Sequence, residues 1–186
     1  MKNKTRTLAA VVAMVLAASS VNAQTNTATA DAEAKIVSAI TIQNSRMLNF
    51  GSISPGASGG TVEVAATLAS ARTLTGANLT ATNGATTSAT FTVTGDGGAT
   101  YAITRLPLAN ADLVLTNASS DQMTARLVVA TANAGGVEST TGTISGSTGV
   151  DGTEVIYVGG TLTVGAAQPA GTYTNTGGIS LTVNYN

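Results

Sequence analysis

Cysteine, histidine and tryptophan occur nowhere in the 186 residues. Without a thiol no disulfide can staple the fold, so stability must come from a packed core and backbone ladders. Without imidazole or thiolate there is no Ser-His-acid triad, no thiol nucleophile and no ordinary zinc site. Charge is scarce as well, at 9 % of residues. The nine acids are scattered singly, and none is framed by the aromatic side chains a sugar-cleaving carboxylate pair needs. Asp31 and Glu33 are read as a solvated face. Asp121 and the Asp151-Gly152 pair fall short of a calcium ligand set. Gly95-Asp96-Gly97-Gly98 lacks the lysine and the strand-to-helix setting of a phosphate loop and is read as a hairpin turn. The expectation is a protein with no catalytic residue, no cofactor and no metal.

The N-terminus has the order of an export signal. Lys2, Lys4 and Arg6 precede an apolar run from Leu8 to Ala18, and Val21-Asn22-Ala23 offers small residues to a peptidase. Cleavage is expected after Ala23. A short membrane helix is the rival, but the apolar run is too short for a stable anchor. The expected route is Sec export, with the periplasm in transit and the cell surface or exterior as destination. The remaining chain, from Gln24, keeps five basic residues (Lys35, Arg46, Arg72, Arg105 and Arg126) against nine acids, a net charge of −4. That balance offers no basic patch to nucleic acid or anionic lipid, and no second membrane segment is visible.

Ala, Gly, Thr, Ser, Val and Asn fill the rest. Such a mix suits a disordered tail, yet apolar residues recur with period two in many short runs, which disorder does not produce. Residues 26 to 42 alternate most clearly, with Ala28, Ala30, Ala32, Ala34, Ile36, Ile40 and Ile42 on one face. This predicts one long strand, or two in tandem; a helix is the rival because alanine favours it. Further strands are expected around Val62 and Val64, Phe91 and Val93, Tyr101 and Ile103, 113–115, 125–130, 155–158, 161–164 and 179–185. Gly159-Gly160 is read as a tight turn or a bulge, and residues 133 to 152 as a long exposed loop, with room for a short hairpin. Phe50, Phe91, Val93, Tyr101, Ile103, Leu162, Val164, Leu181 and Val183 form the expected core. The fold class is all-β, a single immunoglobulin-like or pilin-like β-sandwich over residues 36–186, preceded by an N-terminal extension, 24–35.

The two ends carry the functional signal. Ile179, Leu181, Val183 and Tyr185 share one face of a terminal strand that has neither charge nor proline to protect its edge. The extension has strand alternation, but its alanines bury little area. It is a loosely ordered leader or a self-paired edge strand, or else a strand donated to a neighbouring subunit. Candidate self-assembly residues are therefore Ala28, Ala30, Ala32, Ala34, Ile179, Leu181, Val183 and Tyr185. Two functions compete. One is a structural subunit of a surface filament or fimbria, built by strand addition between copies or related subunits. The other is a monomeric adhesin or matrix-binding module using the Gly/Ser/Thr-rich 133–152 stretch.

Several short motifs run in order along the chain: Leu48-Asn49-Phe50-Gly51, Phe91-Thr92-Val93-Thr94-Gly95, Tyr101-Ala102-Ile103 with Leu106-Pro107, Val158 to Val164, Ala170-Gly171-Thr172-Tyr173 and Val183-Asn184-Tyr185. Together they resemble the exported bacterial family known as domain of unknown function 4402. The Gly-Thr-Tyr turn before a terminal strand ending in Tyr is similar to chaperone–usher pilins. The resemblance implies a β-sandwich from a family with no established enzymatic activity, and a periplasmic chaperone and outer-membrane usher as partners. The chain differs from the better-known pilins in having no disulfide and an alanine-based extension.

Overall fold

The computed structural model describes residues 26–76, 79–82 and 84–186. The expected leader, 1–23, lies outside these residues, as do Gln24, Thr25, Ala77, Asn78 and Asn83. Residues Ile36–Asn186 form one compact unit. Its described strands are β1 (Thr41–Arg46), β2 (Ile53–Ser54), β3 (Gly60–Val64), β4 (Arg72–Thr75), β5 (Thr80–Ala81), β6 (Ala89–Asp96), β7 (Thr100–Leu106), β8 (Leu113–Thr116), β9 (Gln122–Thr131), β10 (Thr141–Thr143), β11 (Asp151–Val164) and β12 (Ser180–Tyr185). One 3-10 turn, Ala132–Ala134, is the only helical element among the described residues. The fold is an all-β sandwich of antiparallel strands.

β11 is the axis of the larger sheet. It pairs with β9 along residues 156–163 on one side. On its other side it pairs first with β6, along 151–158, and then with β3, along 160–164. β1 extends the sheet beyond β6, β4 beyond β3, and β8 beyond β9. The second sheet has the order β10-β7-β12, and β2 with β5 forms a small separate ladder. The core between the sheets is built by alternation. Ala89, Phe91 and Val93 point inward from β6, Tyr101 and Ile103 from β7, Leu181 and Val183 from β12. All nine expected core residues are buried. Ile144 and Ile156, both fully enclosed, join them.

Four local expectations are corrected. Residues 26–40 lie outside any strand; pairing begins at Thr41. Alanine and threonine alternate there as a strand would, but alanine methyls bury too little area to fasten a strand to its own core. The glycine-rich turn after β6 is not a hairpin, because β6 and β7 belong to different sheets. It is an arch between layers, with Gly97 N–H donating to Val150 O and Gly98 N–H to Ile144 O, each at 2.8 Å. Gly159-Gly160 neither turns nor bulges; β11 keeps one register with β9 through both. The glycines sit where β11 exchanges β6 for β3, and a Cβ on Gly159 would lie 2.2 Å from the Val64 carbonyl oxygen. Finally, the 133–152 stretch is not one exposed loop. It supplies β10 to the second sheet and Ile144 to the core.

Candidate functional site

The terminal strand β12 closes the second sheet on one side. Its register with β7 pairs Tyr185 with Tyr101 and Ser180 with Leu106. Asn186 N–H donates to Thr100 O at 3.2 Å, so Asn186 and Thr100 are a hydrogen-bonded pair. Bonding alternates along an antiparallel ladder, so the backbone groups of Leu181, Val183 and Tyr185 point away from β7. Ile103 N–H accordingly donates to Thr140 O, on the opposite side of the sheet. No described strand pairs with the outer side of β12. The nearest strand across the sandwich is β1, itself the last strand of the larger sheet. Two unpaired strand edges therefore lie beside one another. Neither β12 nor the 41–45 portion of β1 carries a charge or a proline to discourage pairing.

The apolar side chains of β12 turn inward, as expected for Leu181 and Val183. Leu181 and Val183 are buried in the chain's own core, and Ile179 and Tyr185 are half-buried against it. What β12 offers a partner is its backbone. Ala28, Ala30, Ala32 and Ala34 are exposed and lie outside any strand or helix.

Tyr185 ties one end of this edge to two other segments. Its hydroxyl accepts from Asp96 N–H at 2.8 Å and donates to Ser38 O at 2.8 Å. Gly95 makes room for it, since a Cβ there would lie 2.2 Å from that hydroxyl. The Ser38 hydroxyl in turn donates to the Asp151 carboxylate. The start of β11, the end of β12 and the entry to β1 are thus held together.

Among the described residues, two cavities bear on the site. One, of about 310 Å³, is lined by Thr100, Thr131, Thr141 and Glu154 among others. Burial pushes the Glu154 carboxyl above its usual range, against the opposing bonds from the Ser145 hydroxyl and the Ala132 backbone. Burial likewise pushes the Tyr101 phenol up, with Glu154 adding to the shift, and its enclosed hydroxyl has no hydrogen-bond partner. The other cavity, about 660 Å³, opens between the 48–55 and 168–173 segments over Phe50, Leu115, Met123, Leu162 and Val164. Among the described residues no three His, Cys, Asp or Glu side chains converge as metal ligands, and no helix is long and apolar enough to cross a membrane.

Sequence reasoning located the bare terminal strand but missed the Tyr185–Ser38 link, the buried Glu154 and the larger cavity. All three depend on residues far apart in the chain. The glycine at position 95, inside an apolar alternating run, was the one local hint of a close approach. A family model described as domain of unknown function (DUF4402) matches residues 40–185. No curated protein and no solved structure matches the chain.

Proposed function

The chain belongs to the DUF4402 family, and from that premise we propose that it is a structural subunit of a cell-surface filament, assembling with copies of itself by strand addition. The observation that carries this reading is the pair of unpaired edges, β12 beside β1, in a chain that also has an exposed, alternating N-terminal segment outside any strand. Such an edge and such a segment satisfy each other's backbone groups when they come from different molecules. The backbone ladder supplies the affinity, so alanine side chains suffice in a narrow groove. The contact is heterologous and propagates rather than closing as a dimer. Export through the Sec pathway, a periplasmic chaperone and an outer-membrane usher belong to the same proposal.

Electron microscopy of the purified protein tests it. Filaments or laddered oligomers are expected, and Ala30→Asp with Ala32→Asp should abolish them by placing charge in the groove. The alternative, a monomeric adhesin or matrix-binding module, predicts single particles at every concentration. Single particles throughout would sink the subunit reading.

A further inference from the structure

The larger cavity and the segment before β1 lie at opposite ends of β11. Leu162 and Val164, on the cavity floor, stand at one end of that strand. Asp151, which accepts from the Ser38 hydroxyl, stands at the other. β11 has 14 residues, so at ~3.3 Å per residue the two poles are separated by roughly 45 Å. The Ser38 pole displays bulky apolar side chains in water. Ile36 is 97 % exposed, Val37 46 % and, next to Asp151 in the chain, Val150 63 %. The cavity pole displays the reverse, an open hollow of about 660 Å³ with an apolar floor and no charged residue in its lining.

We propose that this hollow is the seat of Ile36 and Val37 from a second copy of the chain. The proposal rests on the self-assembly reading above and gives it a polarity, the Ser38 pole of one subunit against the cavity pole of the next. Complementary patches at opposite poles, meeting end to end, add subunits in line. Covering the exposed branched side chains of Ile36 and Val37 removes apolar surface from water, which favours a seated arrangement. The alanines of the extension present only methyl groups and would leave most of the hollow empty, whereas Ile36 and Val37 bring branched side chains. From that seat residues 26–35, ten in number, reach ~33 Å when extended, enough to run along a neighbouring strand edge.

The absence of native cysteine makes the test clean. Ile36→Cys combined with Ala170→Cys, on the exposed rim of the cavity, is oxidised in the otherwise complete chain and run on a denaturing gel. A disulfide needs Cα atoms within about 7 Å, so these two positions cannot join within one molecule. A ladder of covalent multimers is expected from the double variant, while each single variant, whose one cysteine meets no second cysteine across the contact, stays uncrosslinked. Ile36→Ala removes three carbons, and association should weaken by a factor on the order of 50. Ala170→Trp should plug the seat with the same consequence and leave the melting temperature unchanged. Filaments seen by microscopy without a covalent ladder, or undiminished assembly of Ala170→Trp, would overturn this seat while leaving self-assembly standing. Monomers throughout, with no ladder, would remove both.

Discussion

Phe91 is the side chain on which the packing account can be tested most sharply. It lies on β6 opposite Asn44 of β1 and Ile156 of β11, and it is buried in the central cluster between the sheets. Phe91→Ala removes the aromatic ring from a site whose neighbours are held by ladders on both sides, so little collapse is available to fill the void. Changes of this kind cost about 3–5 kcal/mol. That is a large share of a domain's stability, which is commonly about 5–15 kcal/mol. For a unit spanning Ile36–Asn186, each kcal/mol moves the midpoint by roughly 2–4 °C, so the loss should be roughly 6–20 °C. Thr92, the next residue on the same strand, projects to the other face and is half-exposed. Thr92→Ala should cost about 1 kcal/mol or less. Denaturant titration followed by circular dichroism gives both values, with the slope unchanged if both states keep their compactness. If Phe91→Ala melted within a degree of the native chain, or Thr92→Ala cost as much, the assignment of the inward face would be wrong.

Glu154 predicts a pH effect of definite sign. Its folded-state carboxyl is held above the ordinary range by burial, so the folded chain binds that proton more tightly than the unfolded chain does. Its contribution is complete below the ordinary carboxylate range and is lost as pH rises through the raised folded value. Glu154→Gln should remove that decline and stabilise the protein at neutral pH, read from unfolding free energies between about pH 4 and 8; an unaltered slope would count against the carboxyl. Tyr185→Phe removes the hydroxyl that bridges Asp96 N–H and Ser38 O and should cost about 1 kcal/mol in a thermal melt. Gly95→Ala, which crowds the same hydroxyl, should cost a similar amount; an indifferent melt for both would dissolve the link.

The inward faces of β6, β7 and β12 were legible because each buries one side, and period-two alternation is what one-sided burial writes into a sequence. The same rule misled at residues 26–39, where alternation is present but every side chain is exposed. Glycines were the least legible. Gly159 and Gly160 punctuate a sequence in the way turns do, yet they lie within β11 where backbones of neighbouring strands press close. Gly95 to Gly98 looked like a hairpin because local chemistry specifies a bend, while the choice between a hairpin and an arch is made by the sheets on either side. Of the candidate site, the unprotected terminal strand could be read directly. That Leu181 and Val183 enter the chain's own core was legible too; which backbone groups are left facing outward depends on the register with β7 and emerges only in three dimensions.

The central claim is that the segment before Lys35 belongs to a neighbour. Size-exclusion chromatography with light scattering on the chain begun at Gln24 and on the chain begun at Lys35 tests it directly. The longer chain should form a concentration-dependent series of oligomers. The shorter one should remain a monomer, or be unstable until a peptide of residues 24–34 is added. The same species from both chains at every concentration would contradict the account.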